Sequence, residues 1–272
     1  MKSSNQITKL LQTQEFWDTH PCDAQDSFFA VRDFRFKKDL WLKAFLKRIA
    51  HDHPDIVEIG CGQGTDGIYL CGHLPVYGSF IGIDYSSKSC PRARIRAGEV
   101  ATSLRVPPKF RTGNAEALDF SSNSLKCVYS LGVLHHSPDT IKAVQEVFRV
   151  LKPGGTAYIC LYNTWSPKVF GAHILRGIQL VVDKITGGHR VIYRALNQSR
   201  FANSYGTMVQ ECFGTPILRS FTKAGMRQLF SDFEIVTLRA YGSALPFVNE
   251  KNNSLLSQSM GFLWVIQVRK PN

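Results

Sequence analysis

The chain has 272 residues, of which 44% are hydrophobic and 20% are charged, and its formal net charge is +12. This composition is typical of a globular protein with a sizeable core. No stretch reaches the ~18 consecutive apolar residues of a membrane-spanning helix, and the opening "MKSSNQITKLLQTQEF" predicts no secretory signal.

The positive charge is spread along the chain. In "PRARIRAG", the arginines Arg92, Arg94 and Arg96 alternate with small or apolar residues, which predicts the solvated face of a helix. No RNA-binding motif accompanies them, so we expect no nucleic-acid partner and keep an acidic small molecule as a candidate ligand. The seven cysteines are scattered, with no CxxC pair and no zinc-like spacing to histidine. This pattern predicts a cytoplasmic protein without a metal.

Two helical segments are predicted before residue 54. The first, around Leu10 to Trp17, carries apolar residues that could fold over a ligand site. The second, from Phe36 to Ile49, has apolar residues at helical spacing and is predicted to pack on a sheet as part of the core.

Strand-like runs then alternate with helical patterns. The runs are "DIVEIG", "SFIGIDY", "PKFRTGNAEAL", "LKCVYSLGVL" and "TAYICLY". The clearest helix precedes the fifth run, with "SPD" as its start signal and "PGG" as its stop. Such alternation predicts the α/β class, with a doubly wound Rossmann-like parallel sheet whose ligands bind at the carboxyl ends of the strands.

The first strand runs into a glycine-rich turn, "VEIGCGQGTDGIYL", where a ligand could contact the backbone. The letters "GQGTDG" match the dinucleotide pattern G-x-G-x-x-G, and Asp84 follows twenty positions after Gly64. The letters "EIGCGQG" equally spell E-x-G-x-G-x-G, with Glu58 on the strand itself. The loop alone does not choose between the two cofactor classes.

Five motifs at successive strand ends make that choice: "VEIGCGQG", "IGIDYS", "RTGNAEALDF", "CVYSLGVLHHSPD" and "VLKPGG". Over about residues 55–162, and more loosely over 221–269, the chain resembles class I S-adenosylmethionine-dependent methyltransferases of the small-molecule, type 11-like group. The resemblance implies a seven-stranded sheet with an antiparallel last strand and S-adenosyl-L-methionine as cofactor, with S-adenosyl-L-homocysteine as product. It implies methyl transfer to an oxygen or nitrogen atom of a small metabolite, in a biosynthetic pathway.

The resemblance also implies which residues hold the cofactor. Glu58 is similar to the acid that approaches the methionine ammonium, and Asp84 to the acid that holds the ribose hydroxyls. Tyr85 would lie against the adenine, with simple packing as the alternative. The full implied set is Glu58, Gly60, Cys61, Gly62, Gly64, Asp84, Tyr85, Asn114, Ala115, Ser130 and Leu131.

His135 and His136 follow the fourth strand, where the methyl group should lie. Either imidazole could deprotonate an acceptor hydroxyl, since histidine titrates near neutrality. The alternative is that the pair shapes the loop, because an activated methyl group needs no base when the acceptor loses no proton.

Residues 162–219 form an insertion that is too long for a structureless loop in a compact domain. Its apolar stripe predicts a helix whose ordinary role is to pack on the sheet, with a membrane or a partner subunit as alternatives. The stripe consists of Phe170, Ile174, Ile178, Val181, Val182 and Ile185.

We interpret the insertion as a mainly helical lid over the acceptor and a candidate surface for homo-oligomers. The arginines that could attract an acidic acceptor are Arg176, Arg190, Arg194 and Arg200. The predicted organisation is a helical cap (1–53), a cofactor-binding core (54–161), the lid (162–219) and the end of the core sheet (220–272).

The sequence is also compatible with three other functions. A nicotinamide-dependent Rossmann oxidoreductase would use the dinucleotide reading of the glycine loop. A non-catalytic binding protein could keep the same loops. An RNA-directed methyltransferase would ordinarily carry an "NPPY"-like motif after the fourth strand, where this chain has "SLGVLHH".

Overall fold

A computed structural model describes residues 4–20, 27–188, 190–197, 214–242 and 259–272. Part of the predicted lid, residues 198–213 with Arg200, therefore lies outside the described residues, as does Cys22. The helices are α1 (Ser4–Thr19), α2 (Phe28–Lys38), α3 (Leu40–Asp52), α4 (Thr65–Cys71), α5 (Ser89–Glu99), α6 (Thr140–Val150), α7 (Pro167–Thr186), α8 (Val191–Asn197) and α9 (Lys223–Leu229). The strands are β1 (Asp55–Ile59), β2 (Ser79–Asp84), β3 (Lys109–Thr112), β4 (Leu125–Leu131), β5 (Leu151–Tyr162), β6 (Glu234–Tyr241) and β7 (Leu263–Arg269).

The seven strands form one sheet in the order β3-β2-β1-β4-β5-β7-β6. The first five strands pair in parallel, and β7 runs antiparallel to both β5 and β6. The predicted sheet with an antiparallel last strand is confirmed. The chain order reverses between β1 and β4, so the loops after these two strands meet at the edge where doubly wound sheets bind ligands.

Both faces of the sheet are covered, because alternate residues of a strand point to opposite faces. In β5, Tyr158 and Cys160 join the core formed with α3 and α4, whereas Ile159 and Leu161 join the core formed with α6 and α9. Continuous apolar runs are what such doubly buried strands require.

Helix α6 shows how local sequence fixes the packing. The side chain of Asp139 accepts a hydrogen bond from the Lys142 backbone N–H at 3.0 Å and caps the first turn. Val144, Val147 and Val150 then fall on one buried face against the sheet.

Two predictions that the sequence made about the helices differ from the structure. The segment from Phe36 to Ile49 is not one helix, because α2 ends at Lys38 and α3 begins at Leu40. On α5, Arg96 is buried rather than solvated, and Arg94 donates to the Phe110 backbone oxygen at 2.8 Å. The expectation of a solvated arginine face was wrong for Arg96, whereas Arg92 and Arg94 are exposed.

Helix α7 is the described start of the predicted lid. Pro167 occupies its first turn, and Gly187 ends it in the left-handed region at φ +64°. The expectation that its apolar stripe packs on the sheet was wrong: the stripe is largely exposed, and the helix is held through Val169, Ala172 and Gln179. Within the part of the chain that the structure describes, no helix combines the length and apolarity that crossing a membrane requires.

Candidate active site

The turn after β1 is built from backbone conformations that favour glycine. Gly60, Gly62 and Gly64 have φ values of +79°, +51° and +83°. The backbone N–H groups of Gly60 and Cys61 both donate to the Ile83 carbonyl, at 2.7 and 3.0 Å, which ties the turn to β2. A Cβ atom on Gly62 would meet nothing within 4 Å, so the turn leaves open space beside this residue.

Asp84 at the end of β2 closes the turn from the other side. Its Oδ2 accepts the Gly62 N–H at 2.8 Å, and its Oδ1 accepts the Ser86 N–H at 2.8 Å. Burial raises the pKa of Asp84, and the two backbone hydrogen bonds act in the opposite direction. The predicted ribose-binding acid therefore lies directly against the glycine turn.

Glu58 is buried on β1 next to a second carboxylate. Asp66 is satisfied by Arg35, whose Nη2 donates at 2.8 Å, and by the Tyr129 hydroxyl at 2.8 Å. The Glu58 Oε2 atom is buried and has no hydrogen-bond partner among the described residues. Burial, reinforced by the Asp66 charge, raises the pKa of Glu58 well above its ordinary value. A buried acceptor without a donor is the kind of atom that a cationic ligand group would satisfy.

The remaining predicted cofactor residues differ in what their side chains do. The Asn114 Oδ1 accepts the Glu116 N–H at 2.9 Å, which shapes the loop after β3 around Ala115. The Ser130 hydroxyl donates to the Ile59 carbonyl at 2.8 Å and joins β4 to β1, and Leu131 ends β4 beside it. The Asn114 and Ser130 side chains are already hydrogen-bonded within the protein, so a ligand here would contact mainly the backbone and the shape of the loops.

Cys61 and Tyr85 also lie at this edge. Hydrogen bonding to Cys90 and burial raise the pKa of the Cys61 thiol well above its ordinary value, so the thiol stays neutral. The Tyr85 backbone oxygen accepts a hydrogen bond from the Gln14 side chain at 3.2 Å. The structure therefore brings the predicted cofactor residues of β1 to β4 to one edge.

His135 and His136 lie in a short helical turn, Leu134–His136, after β4. The His136 Nδ1 atom lies 2.7 Å from the Ile217 carbonyl oxygen, so it carries the proton and leaves Nε2 as the basic nitrogen. Burial lowers the pKa of His136 to about 4, which keeps the ring neutral at pH 7. The expectation of titration near neutrality was therefore wrong for His136.

His135 is fully buried, and neither ring nitrogen has a hydrogen-bond partner in the described part of the chain. Its ring lies 3.8 Å from the Tyr162 ring, centre to centre, at the end of β5. Burial lowers its pKa well below the ordinary value. The two histidines thus present neutral rings between the ends of β4 and β5.

Helix α1 lies across these loops. Asp18 accepts hydrogen bonds from the Ser86 and Ser87 hydroxyls at 2.6 and 2.9 Å, and the Trp17 ring packs 5.3 Å from that of His136. The Tyr193 hydroxyl of α8 lies 3.1 Å from the His20 ring. The first predicted helix therefore covers the edge of the sheet, next to the described part of the insertion.

Two supporting residues were not found from the sequence. The Glu116 Oε1 atom accepts the Asp139 N–H at 2.8 Å and joins the loops after β3 and β4. Arg219 donates to the carbonyl oxygens of Ser137 and Pro138, directly after His136. The "GNAEAL" motif could have drawn attention to Glu116, but nothing in the local sequence of Arg219 signals its role.

Other features do not add to this site. Of the predicted arginines, Arg176 donates to the Thr215 carbonyl oxygen at 2.9 Å, and the Arg190 guanidinium lies 5.7 Å over the Tyr193 ring. In the described ranges, no three His, Cys, Asp or Glu side chains are grouped to hold a metal ion. A cleft of about 330 Å³ involves Arg32 and Tyr69 on the helical cap and α4, and contains none of the strand-end loops.

Comparisons with known proteins identify the class. Residues 57–159 match the family model described as "Methyltransferase domain". A demethylmenaquinone methyltransferase of Lactococcus lactis is 30% identical over 151 residues, covering 55% of this chain and 58% of that protein. The 27-O-demethylrifamycin SV methyltransferase of Amycolatopsis mediterranei is 34% identical over 100 residues, covering 37% of this chain and 35% of that protein.

A solved S-adenosylmethionine-dependent methyltransferase from Methanosarcina mazei shares the fold, with a TM-score of 0.54 and 22% identity, over 82% of this chain and 97% of that one. Residues 57–159 therefore form a methyltransferase domain, and the similarities support a class I S-adenosylmethionine-dependent methyltransferase with S-adenosylmethionine as its cofactor. The oxidoreductase and RNA-directed alternatives are not favoured. The chain spans 58% and 35% of the lengths of these two curated relatives, so the reactions of those proteins are not assigned to it.

The residues present fit this cofactor. The Glu58 oxygen that has no partner among the described residues suits a ligand ammonium. The open space at Gly62 suits a close backbone approach, and Asp84 suits paired hydroxyls.

Proposed function

We propose that this chain transfers a methyl group from S-adenosylmethionine to an oxygen or nitrogen atom of a small metabolite in a biosynthetic pathway. The observation that carries the proposal is the His136 imidazole, which is neutral and has its Nδ1 proton held by the Ile217 carbonyl. A base of this kind is useful where the acceptor loses a proton, which favours a hydroxyl oxygen.

The cofactor would be held by the residues that meet after β1, β2 and β3. Glu58 would receive the ammonium, Asp84 the ribose hydroxyls, and the loop at Asn114 the adenine. When bound, the cofactor supplies a methyl group already activated on a sulfonium sulfur. The protein therefore has to align the acceptor and exclude water, and alignment alone can contribute ~7–11 kcal/mol to lowering the barrier.

The His136 Nε2 atom would accept the proton that the acceptor hydroxyl loses on methylation. His136 would then carry a positive charge in a buried place, which its low pKa opposes. The charge is tolerable only while the Nδ1–H bond to Ile217 persists, since that bond favours the protonated ring. His135, with both nitrogens unpartnered among the described residues, is available to hydrogen-bond the acceptor.

Residues 1–53 and 162–219 would form the cover of the acceptor site, around the core at 54–161 and 220–272. Support comes from α1, which touches both the loop after β2 and His136. Support also comes from Tyr193 of α8, which reaches His20 directly after α1. Methyl transfer needs a dry site that the substrate can still enter, so these elements would move during the reaction cycle.

Hydrogen exchange tests this cover. We expect S-adenosylhomocysteine with an acceptor to protect α1 and the start of the 162–219 segment more than S-adenosylhomocysteine alone, with α3 as an unaffected reference. Equal protection in the free protein and in both complexes would make α1 and α7 a fixed scaffold.

The function itself is tested by mass spectrometry with methyl-deuterated S-adenosylmethionine and a panel of small hydroxylated and aminated metabolites. A labelled methyl group on a metabolite, dependent on intact protein, is the expected result. Titration calorimetry with S-adenosylhomocysteine should show one site per chain. Binding of S-adenosylhomocysteine without any turnover over a broad panel would instead favour the non-catalytic binding protein.

A further inference from the structure

Helix α7 carries its apolar stripe on the outside of the molecule. Five stripe residues are between 47% and 78% exposed, although in an ordinary surface helix such a stripe faces the core. They recur at helical spacing: Phe170, Ile174, Ile178, Val181 and Ile185. Trp165, just before the helix, is 58% exposed as well. Contiguous apolar surface of this kind marks an interaction site.

The polar face of the same helix is turned inward and anchored. The buried Gln179 accepts the Tyr193 N–H at 3.2 Å, and Arg176 donates to the Thr215 carbonyl oxygen at 2.9 Å. Asp183 accepts the backbone N–H groups of Arg190 and Val191 at 2.8 and 2.9 Å. Rolling the helix to bury its stripe would break all of these bonds, so the outward orientation is fixed by the fold.

The segment around α7 is strongly basic. Residues 163–197 contain five Lys or Arg residues and one acid, Asp183, which gives a net charge of 5 − 1 = +4. Lys184 and Arg194 are exposed, whereas Asp183 is half-buried and engaged by the chain after α7. The surface therefore joins an apolar stripe to exposed positive charge.

We propose that the outer face of α7, which we call the α7 face (Trp165 and the five stripe residues), docks the protein on an anionic membrane surface. An interfacial helix of about 20 residues with apolar residues on one side and basic residues beside them lies in the headgroup region of a bilayer. Each nearby Lys or Arg adds attraction to anionic lipid.

The positive charge of this segment favours a membrane over a second copy of the chain as the binding partner of the α7 face. In a two-fold symmetric dimer, the same patch meets itself, so one +4 segment would oppose another. An anionic lipid surface offers the complementary charge instead. Because α7 begins five residues after β5 ends at Tyr162, docking would hold the active edge of the sheet near the lipid.

Vesicle co-sedimentation of the full chain tests the α7 face. The protein should bind vesicles of phosphatidylglycerol and phosphatidylcholine at low salt, and bind vesicles of phosphatidylcholine alone more weakly. Ile178→Asp should lower the partition by about tenfold or more, because it places a charge in the apolar stripe. Lys184→Glu should lower it by about fivefold, and added salt should reduce this difference.

The control is Ile141→Asp on α6, where the isoleucine is 62% exposed and far along the chain from α7. This variant should bind vesicles like the unaltered protein. Melting temperatures of all variants should be alike, since the replaced side chains are exposed.

Two results would overturn the proposal. One is equal vesicle binding by Ile178→Asp and the unaltered protein, or no binding by either at low salt. The other is a lipid-free dimer, seen by sedimentation velocity, that Ile178→Asp dissociates, which would make the α7 face an interface between copies.

Discussion

The carboxyl edge of the sheet has two halves that are held in different ways. On the β1–β2 side, the glycine turn is fixed by backbone bonds to Ile83 and by the Asp84 carboxylate. On the β4–β5 side, His135 and His136 are held by contacts with residues distant in sequence, such as Trp17, Tyr162 and Ile217. The first half is formed by two successive strands and the loops after them, whereas the second needs α1, β5 and the segment before α9 to be assembled around it.

This difference suggests why a common cofactor and variable acceptors can share one fold. A turn made of glycine conformations needs few specific side chains, and we propose that it binds the cofactor, which is the same in every reaction of this class. A wall made of side chains from α1, β5 and the segment before α9 can change with the acceptor while the turn stays the same.

The largest expected effect is on turnover, through the β4–β5 half. His136→Asn removes the basic nitrogen, while its amide N–H can still donate to the Ile217 carbonyl. We expect turnover to fall by about 10²–10⁴-fold if the acceptor is a hydroxyl, with little change in cofactor affinity. Single-turnover rates and calorimetry on the same preparation separate the two effects. Unchanged turnover would mean that His136 is not a catalytic base and has only a structural role.

The next effect is on stability at acid pH. Burial lowers the folded-state pKa of His136 to about 4, below the value of about 6.5 expected when unfolded. The part of the free energy of unfolding that depends on a neutral His136 is fully present above pH 6.5. It is lost as the pH falls from 6.5 to 4, and the loss amounts to about 3 kcal/mol. Urea unfolding should show the free energy of unfolding of the unaltered protein falling more steeply over this window than that of His136→Asn. His51→Asn, at a side chain that is 87% exposed, is the matched control.

A smaller effect is expected on cofactor affinity, through the β1–β2 half. Asp84→Asn keeps one oxygen that can accept the Gly62 N–H but removes the charge. Loss of charge-assisted hydrogen bonds worth about 1.5–3 kcal/mol should weaken S-adenosylhomocysteine binding by about ten- to hundredfold. Glu146→Gln, at a carboxylate that faces Arg149 on α6, should leave the affinity unchanged. If Asp84→Asn binds normally, the ribose lies elsewhere.

The smallest effect tests the backbone directly. Gly62→Ala adds a methyl group where no protein atom lies within 4 Å, so it should cost little stability beyond the strain of φ +51°. It should nevertheless lower cofactor affinity by about tenfold, because the methyl group would occupy the space in which we propose that the cofactor lies. Gly98→Ala on α5, also with open space around it, is the control and should bind as before. If Gly62→Ala and Gly98→Ala bind the cofactor equally well, the glycine turn does not bind it through its backbone, and the proposed difference between the two halves is wrong.

Much of this protein was predictable because its signals are local. The alternation of apolar runs and helical patterns predicted the five parallel strands, and the five motifs predicted the family and its cofactor, both of which are confirmed. The positions of Glu58 and Asp84 at strand ends follow from the same pattern, because parallel strands bring their carboxyl ends to one edge. The roles of the individual site residues remain predictions.

Only the tertiary structure decided how side chains with similar patterns are used. The α7 stripe has the periodicity of a core face, yet it points outward because Gln179, Arg176 and Asp183 find their partners on the inner side. Periodicity fixes which residues share a face of a helix, but the direction of that face depends on partners elsewhere in the chain. The low pKa of His136 arose in the same way, from burial among residues distant in sequence, and it stays low although the hydrogen bond to the distant Ile217 carbonyl acts in the opposite direction.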